Sequence, residues 1–312
     1  MLDFSNSKIL IVGDVMLDKY YFGKVDRISP EAPVPIVNIQ KEESRLGGAS
    51  NVANNIVSLG GHSLLCGVIG HDLFGKEIER ISRHKNIDTF LLKTSSPTIT
   101  KARIIGGKQQ IVRVDYEDKS ELNADNKKLF RDTISRILPE YDILVISDYG
   151  KGLISEDLCR YLIKLAHKYD KKVIIDPKGK NWEKYSGADI VTPNVKELSD
   201  IVGYTVPNTD RAIEKAAREA ITNNHLTALL VTRSDKGMSL IGPIPPIHIP
   251  THSEEVFDVS GAGDTVVATL GLCLAAGFEI SGAMRTANIA AGIVVKKVGT
   301  ATLTIEELVQ QK

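Results

Sequence analysis

From residue 125 onward, short apolar runs alternate with longer runs of helical period, and this alternation constrains the fold more than any other feature. The predicted strands lie at 143–147, 173–175, 190–191 and 228–231, and the predicted helices at 127–138, 155–169, 195–202 and 211–222. Such alternation places parallel strands in one sheet whose two faces are covered by helices. We therefore predict an α/β fold with a mostly parallel central sheet.

Polar residues follow several of the predicted strands. Asp14 follows the first strand, and Asp148, Asp176, Asn194 and Thr232 follow later ones. A single residue of this kind is usually part of a turn. Because the carboxyl ends of parallel strands meet at one edge of a sheet, where ligands bind in open α/β folds, the whole set favours a polar site there.

A glycine-rich stretch at 257–265 reads Phe-Asp-Val-Ser-Gly-Ala-Gly-Asp-Thr and leads into an apolar run typical of a buried helix. Glycines allow a tight turn, and the first amides of the helix form a ready anion site. Asp264 adds a carboxylate beside that site, which favours a base that deprotonates a hydroxyl as it attacks phosphorus. Taken alone, the stretch fits equally well an ordinary helix start that places Asp264 near the positive end of the dipole.

A second glycine-led helix start lies at Gly47 and Gly48, followed by Asn51 and Asn55 on one helical face. This start can receive polar ligand atoms. Ordinary capping and close packing explain it equally well.

Two segments, 20–39 and 89–114, interrupt the strand–helix pattern with short β-prone runs, and Gly106-Gly107 is a hairpin signal. We predict a small β-sheet lid formed by insertions at about 18–40 and 88–115. The remainder of residues 1–312 shows no linker or repeat, so we predict a single domain. A small sheet cannot bury the apolar residues of the lid alone, which predicts a homodimer through the lid.

The composition excludes several classes of protein. Lys+Arg and Asp+Glu number 39 each, so the chain lacks the basic excess of a nucleic-acid-binding protein. No run approaches the roughly 18 apolar residues of a membrane span. The three cysteines show no metal-binding spacing, and no leader pattern is present, so we expect a cytoplasmic protein without membrane or nucleic-acid partners.

Together these features resemble the ribokinase/PfkB family of sugar kinases over nearly the whole chain. The run Gly47-Gly48-Ala49-Ser50-Asn51 is similar to the N-terminal signature of the family, and residues 258–264 are similar to its C-terminal signature. Asn194 and Glu197 match its N-x-x-E element. The resemblance implies a ribokinase-like three-layer α/β/α sandwich with a mostly parallel central sheet and a small β-sheet lid.

Within the family, the chain resembles the bacterial heptose-7-phosphate kinases of lipopolysaccharide-core synthesis. The residues that carry this resemblance are GDVMLD at 13–18, RISPEAPVP at 27–35, QQ at 109–110, RVD at 113–115 and SDYGKG at 147–152. Some such proteins carry a nucleotidyltransferase domain with an H-x-G-H motif. These 312 residues contain no such motif, so we expect the kinase activity alone.

The resemblance implies a role for each matching residue. Asp264 would be the base, and the amides of Gly261, Ala262 and Gly263 would hold the transferring phosphoryl group. The residues expected to bind the sugar are Asp14, Gly47, Gly48, Asn51 and Asp148.

ATP and Mg²⁺ are the cofactors that the resemblance implies. The residues expected at the nucleotide are Asn194, Glu197, Thr232, Ser234, Gly237, Gly261, Gly263 and Asn288. Glu197 would act on Mg²⁺ through water, since this ion usually keeps several waters. Asp258 would hold a monovalent cation such as K⁺, as in some relatives.

A phosphorylated substrate also needs cations at the end remote from Asp264. Arg103, Arg113 and Lys178 are the candidates, since Arg forms bidentate hydrogen bonds with phosphate and Lys acts as a point charge. Lys180 is better explained as a solvated surface charge.

The sequence therefore predicts an ATP-dependent kinase that phosphorylates the 1-hydroxyl of D-glycero-β-D-manno-heptose 7-phosphate to the 1,7-bisphosphate. The alternatives are another sugar or nucleoside kinase of the family, and a sugar-sensing protein without catalysis.

Overall fold

The structure is a computed structural model that describes residues 2–251 and 256–311, and it contains a large and a small β-sheet. In chain order the strands are β1 (Lys8–Gly13), β2 (Val15–Ile28), β3 (Pro35–Gly48), β4 (His62–Gly70), β5 (Asp88–Thr94), β6 (Thr100–Gly106), β7 (Gln109–Tyr116), β8 (Ile143–Ser147), β9 (Lys172–Asp176), β10 (Ile190–Val191), β11 (Leu229–Thr232), β12 (Met238–Ile241) and β13 (Ile247–Ile249). The helices are α1 (Ala49–Ser58), α2 (Leu73–His84), α3 (Ala124–Ile137), α4 (Glu156–Lys168), α5 (Val195–Val202), α6 (Asp210–Asn224), α7 (Ala262–Ala275), α8 (Ile280–Val294) and α9 (Ile305–Gln310).

The large sheet has the order β13-β12-β11-β10-β9-β8-β1-β4-β5. Its pairings are parallel except that β12 runs against both of its neighbours. The chain extends the sheet from β1 toward β5 on one side and from β8 toward β13 on the other. The carboxyl ends of β1 and β8 therefore form a switch point, which is where ligands bind in such sheets.

The two faces of β1 pack into different cores. Ile9 and Ile11 belong to the core formed with α1, α7 and α8, whereas Leu10 and Val12 belong to the core formed with α4 and α6. Because alternate side chains of a strand point to opposite faces, a fully apolar strand requires helices on both sides. The predicted three-layer α/β/α arrangement with a mostly parallel sheet is confirmed.

The small sheet has the order β3-β2-β6-β7, in which β2 and β6 are parallel and the outer pairs antiparallel. This is the lid. The lid boundaries predicted from the sequence are wrong at 88–94, which form β5 at the edge of the large sheet. The physical reason is that Phe90 and Leu92 pack against one core of the main domain and Leu91 against the other, which only a strand of the central sheet can do.

The helix α7 begins at Ala262, inside the glycine-rich stretch 257–265 that was predicted to precede it. This places Asp264 in the first helical turn, and the residues from Asp264 to Cys273 are buried. Within the described ranges, no helix combines the length and the apolar character needed to cross a bilayer.

Candidate active site

The start of α7 presents backbone amides to a cavity. The helix follows Gly261, whose φ of +79° is readily adopted only by glycine, and no side chain caps it. The amide of Ala262 donates to the carbonyl of Val259 at 3.2 Å. Among residues 2–251 and 256–311, no hydrogen-bond acceptor lies at the amides of Gly261 and Gly263. Two of the three amides predicted to hold a phosphoryl group are therefore open to a ligand, and that of Ala262 is engaged.

Asp264 lies beside these amides and is only 3% exposed. Its Oδ2 accepts a hydrogen bond from Nδ2 of Asn51 and its Oδ1 accepts one from the hydroxyl of Tyr149, both at 2.7 Å. Burial raises the pKa of Asp264 to about 6, although both hydrogen bonds act to lower it. A carboxylate that titrates near neutral pH next to free amides is suited to take a proton from a bound hydroxyl.

The helix α1 holds Asn51 against this carboxylate. It begins after Gly48, which has a φ of +56° and where a Cβ would lie 2.5 Å from a backbone oxygen. One turn on, Asn55 donates to the carbonyl of Asn51 at 2.9 Å and accepts from Oγ1 of Thr265 at 3.0 Å. Polar contacts thus join α1 to α7. Asn51 was predicted to bind a sugar hydroxyl, and in the structure it donates a hydrogen bond to Asp264.

Gly47 precedes this helix start and lies against a carboxylate. A Cβ at Gly47 would lie 2.5 Å from Oδ2 of Asp18, so only glycine leaves room for that side chain. The glycine predicted to bind the sugar therefore makes space for an acidic group of β2.

Asp14 holds the loop that carries Tyr149. Its carboxylate accepts the backbone amides of Tyr149 at 2.9 Å, Lys151 at 3.0 Å and Leu153 at 3.3 Å. Burial and the charge of Asp148 raise the pKa of Asp14 to about 6. Asp14 was predicted to bind sugar hydroxyls, and this stays a prediction. In the structure its two oxygens accept three amides of this loop, and the residue also lines a cavity beside the loop.

Asp148 anchors the same loop from the opposite side. It is 2% exposed, accepts the amide of Gly150 at 2.8 Å and the hydroxyl of Tyr185 at 2.6 Å, and forms a buried ion pair with Lys184. A buried carboxylate needs such partners, since an unpaired one would be strongly destabilising. The group predicted to bind substrate therefore holds protein elements together.

A cavity of about 170 Å³ opens at the start of α7, and we call it the phosphoryl cavity. Its lining combines the start of α7 with residues that follow four strands of the large sheet: Asp148, Tyr149, Asp176, Pro177, Lys178, Thr192, Asn194, Glu197, Thr232, Gly261, Gly263 and Asp264. The polar residues that follow the strands in the sequence thus meet at one edge, as predicted.

Glu197 and Lys178 form an ion pair in this cavity, with 2.9 Å between Oε1 and Nζ. Glu197 also forms a capping box with Asn194 at the start of α5. The hydrogen bond to Glu197 raises the pKa of Lys178, and burial together with the charge of Asp264 raises the pKa of Asp176 well above its usual value. Lys178 was predicted at the substrate end remote from Asp264, whereas the structure places both in one cavity.

A larger cavity of about 620 Å³, the nucleotide cavity, shares Asn194, Thr232 and Gly263 with the phosphoryl cavity. Three more of the residues predicted at the nucleotide also line it, namely Ser234, Gly237 and Asn288, whereas Glu197 and Gly261 line the phosphoryl cavity alone. Its remaining lining is largely apolar, with Val195, Met238, Val256, Val259, Val266, Ala291 and Val295. The two cavities thus form one cleft with a polar end at Asp264 and a more apolar far end.

The turn at the nucleotide cavity has a rigid support. Gly237 has a φ of +78°, and a Cβ there would lie 2.0 Å from the carbonyl oxygen of Ile249. The buried guanidinium of Arg233 binds Oδ1 of Asn208 at 2.9 Å and a carboxylate oxygen of Asp210 at 2.5 Å. Sequence analysis gave Arg233 no role, and the structure assigns it the support of this turn.

The register of the lid places many charged residues on the face directed at the site. Across β3, β2, β6 and β7, two successive rows on that face read Arg45, Asp18, Lys101, Asp115 and Glu43, Tyr20, Arg103, Arg113. Asp18 is 4% exposed, and its charge acts on the pKa of Asp264. The lid therefore covers the Asp264 end of the cleft with a charged surface.

The cations of this surface differ in their partners. Arg103 forms an ion pair with Asp18 at 2.6 Å, and the side chain of Arg113, 49% exposed, pairs with an acidic neighbour on β7 at 2.8 Å. Nζ of Lys101 lies 5.7 Å from the ring centre of Tyr149 and has no ion pair within the part of the chain that the structure describes. Burial lowers the pKa of Lys101, and its ammonium is available to an incoming anion.

Asp258, predicted to hold a monovalent cation, accepts the amides of Ser260 at 2.9 Å and Gly299 at 2.8 Å. Burial acts to raise the pKa of Asp258, but these hydrogen bonds outweigh it and hold the pKa below its usual value. Among the described residues, no group of three or more His, Cys, Asp or Glu side chains is placed to hold a metal ion. Asp258 thus offers an ionised carboxylate rather than a complete protein cage.

Sequence analysis assigned no role to three residues that the fold brings to Asp264, namely Asp18, Lys101 and Tyr149. Asp18 and Lys101 lie opposite each other in neighbouring lid strands, and Tyr149 follows β8. One signal in the sequence could have found Asp18 and Lys101. Both are charged residues within β-prone runs that also contain apolar residues, and a charged side chain that a strand directs toward the protein interior indicates a function.

Comparison with known proteins agrees with this arrangement. A model described as pfkB family carbohydrate kinase matches residues 6–307. A curated relative, the bifunctional protein HldE of Haemophilus influenzae (strain PittEE), is 46% identical over 308 residues, which cover 98% of this chain and 63% of the relative. The chain therefore spans less than two thirds of the length of that relative.

Solved structures show the same fold at low sequence identity. Phosphofructokinase-2 from Escherichia coli in complex with potassium superimposes with a TM-score of 0.80 at 19% identity, with 97% of each chain covered. The ribokinase of Arabidopsis thaliana complexed with ribose and ATP gives a TM-score of 0.77 at 19% identity, with 98% of each chain covered. The ribokinase-like fold predicted from the sequence is thereby confirmed.

Proposed function

Because this chain belongs to the pfkB family of carbohydrate kinases, we propose that it transfers the γ-phosphoryl group of ATP to the 1-hydroxyl of D-glycero-β-D-manno-heptose 7-phosphate. The product is the 1,7-bisphosphate, on the route to ADP-heptose and the lipopolysaccharide core. The observation that carries the proposal is the position of Asp264, a buried carboxylate with a pKa of about 6 beside the open amides of α7. The resemblance to heptose-7-phosphate kinases supports the choice of sugar, as does the 46% identity with a protein named HldE.

The reaction places the sugar between Asp264 and the lid. Asp264 accepts the proton of the attacking 1-hydroxyl, and Asp18, buried on the facing strand, accepts hydrogen bonds from other sugar hydroxyls. The amides of Gly261 and Gly263 stabilise the charge that builds on the transferring phosphoryl group. Lys178 lines the same cavity and adds a positive charge there. Positioning and electrostatics of this kind supply most of the catalysis in phosphoryl transfer.

ATP fits the cleft with its base in the nucleotide cavity and its phosphates toward α7. Gly263 leaves open space at the junction of the cavities, since nothing lies within 4 Å of a Cβ built there. Mg²⁺ would neutralise phosphate charge and be held by phosphate oxygens and waters, with Glu197 as the nearby carboxylate. The lack of a protein metal cage among the described residues is compatible with an ion held in this way.

The 7-phosphate of the sugar is expected at the charged face of the lid. Lys101 offers an ammonium without an ion pair within the described ranges, and Arg103 lies two residues further along β6. Arg113 is the outermost of the three, and its side chain is half exposed. An ammonium in a partly buried site gains more from a doubly charged phosphate than a solvated one does.

A substrate panel tests the proposal. The full chain is incubated with ATP, Mg²⁺ and one of heptose 7-phosphate, fructose 6-phosphate, ribose or adenosine, and ADP release is measured. We expect turnover with heptose 7-phosphate to exceed the others. Preferential turnover of an unphosphorylated sugar or a nucleoside would assign the chain to another branch of the family, and no turnover of any acceptor would favour a sugar-sensing role.

The matched variants Lys101→Met and Lys180→Met sharpen the test. Lys101→Met should raise the KM for the phosphosugar about tenfold or more, because a charge-assisted contact is lost. Lys180→Met removes a charge outside the lid and should leave the KM unchanged. Equal KM values for both variants would move the phosphate site away from Lys101.

The proposal includes a homodimer formed through the lid. Exposed apolar side chains of the lid support it, including Val25, Ile28, Ile111 and Val112. Light scattering at micromolar concentration tests the oligomeric state.

The proposal also includes a K⁺ site at Asp258. The potassium complex of phosphofructokinase-2 supports it, and replacing K⁺ with tetramethylammonium in the activity assay tests it. We place the reaction in the cytoplasm, where ATP is available.

A further inference from the structure

Tyr149 is fixed against the catalytic carboxylate by contacts at both its backbone and its side chain. Its hydroxyl donates to Oδ1 of Asp264 at 2.7 Å, and its amide donates to Oδ2 of Asp14 at 2.9 Å. The next residue, Gly150, has a φ of +64° and donates its amide to Asp148 at 2.8 Å. Two buried carboxylates at the ends of β1 and β8 therefore fix the loop, so that the hydroxyl has one direction in which to point.

Toward Asp264 the hydroxyl acts as a donor. Burial and the charge of Asp264 raise the pKa of Tyr149 well above its usual value, so the phenol stays protonated. Each carboxylate oxygen has two acceptor lone pairs. With Asn51 on Oδ2 and Tyr149 on Oδ1, one acceptor position remains on each oxygen for the hydroxyl of a substrate.

We propose that Tyr149 is a positioning residue of the phosphoryl transfer, which orients the carboxylate of Asp264 and keeps it ionised until it receives the proton of the sugar hydroxyl. This inference rests on the proposed kinase function and deepens it. Tyr149 does not take the proton itself. It acts through Asp264, in the way that a third group orients the base in other catalytic sites.

Several groups face Asp264, and each affects the proton affinity of its carboxylate. Asn51 from α1 and Tyr149 donate hydrogen bonds that favour the ionised form, and the Lys101 ammonium on β6 acts in the same direction. Asp18 on β2 acts against ionisation, and the carboxylate of Asp176 at the end of β9 interacts with the same charge. Removal of the Tyr149 hydroxyl therefore takes away one of few favourable contacts in a buried place.

The first test compares Tyr149→Phe with Tyr204→Phe as a matched control. The hydroxyl of Tyr204 also donates to a carboxylate, Oε2 of Glu219 at 3.0 Å, but on the surface. In the wild type, kcat/KM for heptose 7-phosphate should rise with pH through the Asp264 pKa of about 6. Tyr149→Phe should move this rise upward by about one pH unit and recover part of the lost activity at pH 8 to 9. Tyr204→Phe should leave the profile in place.

A purely structural role for Tyr149 gives a different result. In that case kcat/KM would fall by the same factor at every pH, and the midpoint of the rise would not move. That outcome overturns the proposal.

The second test does not use catalysis. The folded-state pKa of Asp264 lies above its unfolded value of 3.8, so the folded protein binds the extra proton, and this part of its stability is lost as pH rises toward 6. Tyr149→Phe raises the folded pKa further, so its decrease in Tm should be larger at pH 8 than at pH 5. In the background of Asp264→Asn, that dependence on pH should disappear.

These outcomes separate the two claims. A wild type that does not phosphorylate heptose 7-phosphate would overturn the proposed substrate, and the melting experiment would still report on Tyr149. A Tm decrease that is independent of pH, or that persists unchanged with Asp264→Asn, would show that Tyr149 does not control the ionisation of Asp264.

Discussion

The helices α1 and α7 begin in the same way and differ in what lies above their first turns. Both follow a glycine of positive φ, +56° at Gly48 and +79° at Gly261, and neither has a side-chain cap. At α1 the first amide, that of Ala49, donates to the carbonyl of Asp14 at 3.1 Å, and Gly48 is buried. At α7 the turn opens onto the phosphoryl cavity, and Gly263 is exposed.

The difference shows how one local motif gives two results. The first amide has a protein acceptor in both helices, since that of Ala262 donates to the carbonyl of Val259 at 3.2 Å. At α1 the helix start is buried in the protein and becomes a rigid joint that holds Asn51. At α7 the helix start is left open, and Asp264 in its first turn supplies a base. The hydrogen bond of 2.7 Å between Asn51 and Asp264 links the closed start to the open one.

The largest expected effect lies at the open start. Asp264→Asn keeps the size of the side chain and removes the base, so kcat should fall by about 10²–10⁴-fold. ATP affinity and Tm should not decrease, because the amides remain and a buried charge is removed. Asp200→Asn is the control, since among the described residues Asp200 forms an ion pair only with a surface lysine. A folded Asp264→Asn protein that binds ATP and turns over at the normal rate would remove Asp264 from the mechanism.

At the closed start the expected effect is on stability. In Gly48→Ala, the alanine would have to adopt a φ of +56°, and its Cβ would lie 2.5 Å from a backbone oxygen. We expect the free energy of unfolding in urea to decrease by about 1–3 kcal/mol or more. Gly60→Ala shares a positive φ, +88°, but has nothing within 4 Å, so its loss should be smaller. Equal losses would show that backbone strain alone, without the contact, sets the role of Gly48.

The smallest effect is expected at Gly263, where a Cβ meets nothing in the protein. Gly263→Ala should raise the stability by about 0.5–1 kcal/mol, since alanine is the better helix former. The same methyl group projects toward the phosphate path, so kcat/KM for ATP should fall by about tenfold, a loss of about 1.4 kcal/mol. Gly282→Ala in α8 is the control for helix propensity alone. Unchanged kinetics with ATP would place the phosphates elsewhere.

The sequence predicted those elements well whose determinants are local. The helix α5 was predicted at its observed bounds, Val195–Val202, because Asn194 and Glu197 form a capping box there. The strand Ile143–Ser147 was also found at its observed bounds, as an isolated apolar run. The predicted family is confirmed by the family model that matches residues 6–307. Its two signatures lie on the two glycine-led helix starts.

The parts that sequence analysis could not resolve depend on contacts between distant residues. The run that contains Phe90 and Leu92 is β-prone, and its local sequence does not show which of the two sheets it joins. Only its pairing with β4 assigns it to the large sheet. The partners of Asp14 and Asp148 are set by the shape of the loop between 149 and 153. Tyr149 reaches Asp264 across 115 residues, so its role is visible only in the fold.

The central claim is that the carboxylate of Asp264 takes a proton beside the open amides of α7. The most direct measurement is kcat/KM for the phosphosugar between pH 5 and pH 9, in the wild type and in Asp264→Asn. The wild type should lose activity as the pH falls through about 6, since Asp264 must be ionised to act as a base. The residual activity of Asp264→Asn should show no such decrease. If the variant retained the same decrease near pH 6, the titrating group would be another carboxylate such as Asp14, whose pKa is also about 6, and the claim would be contradicted.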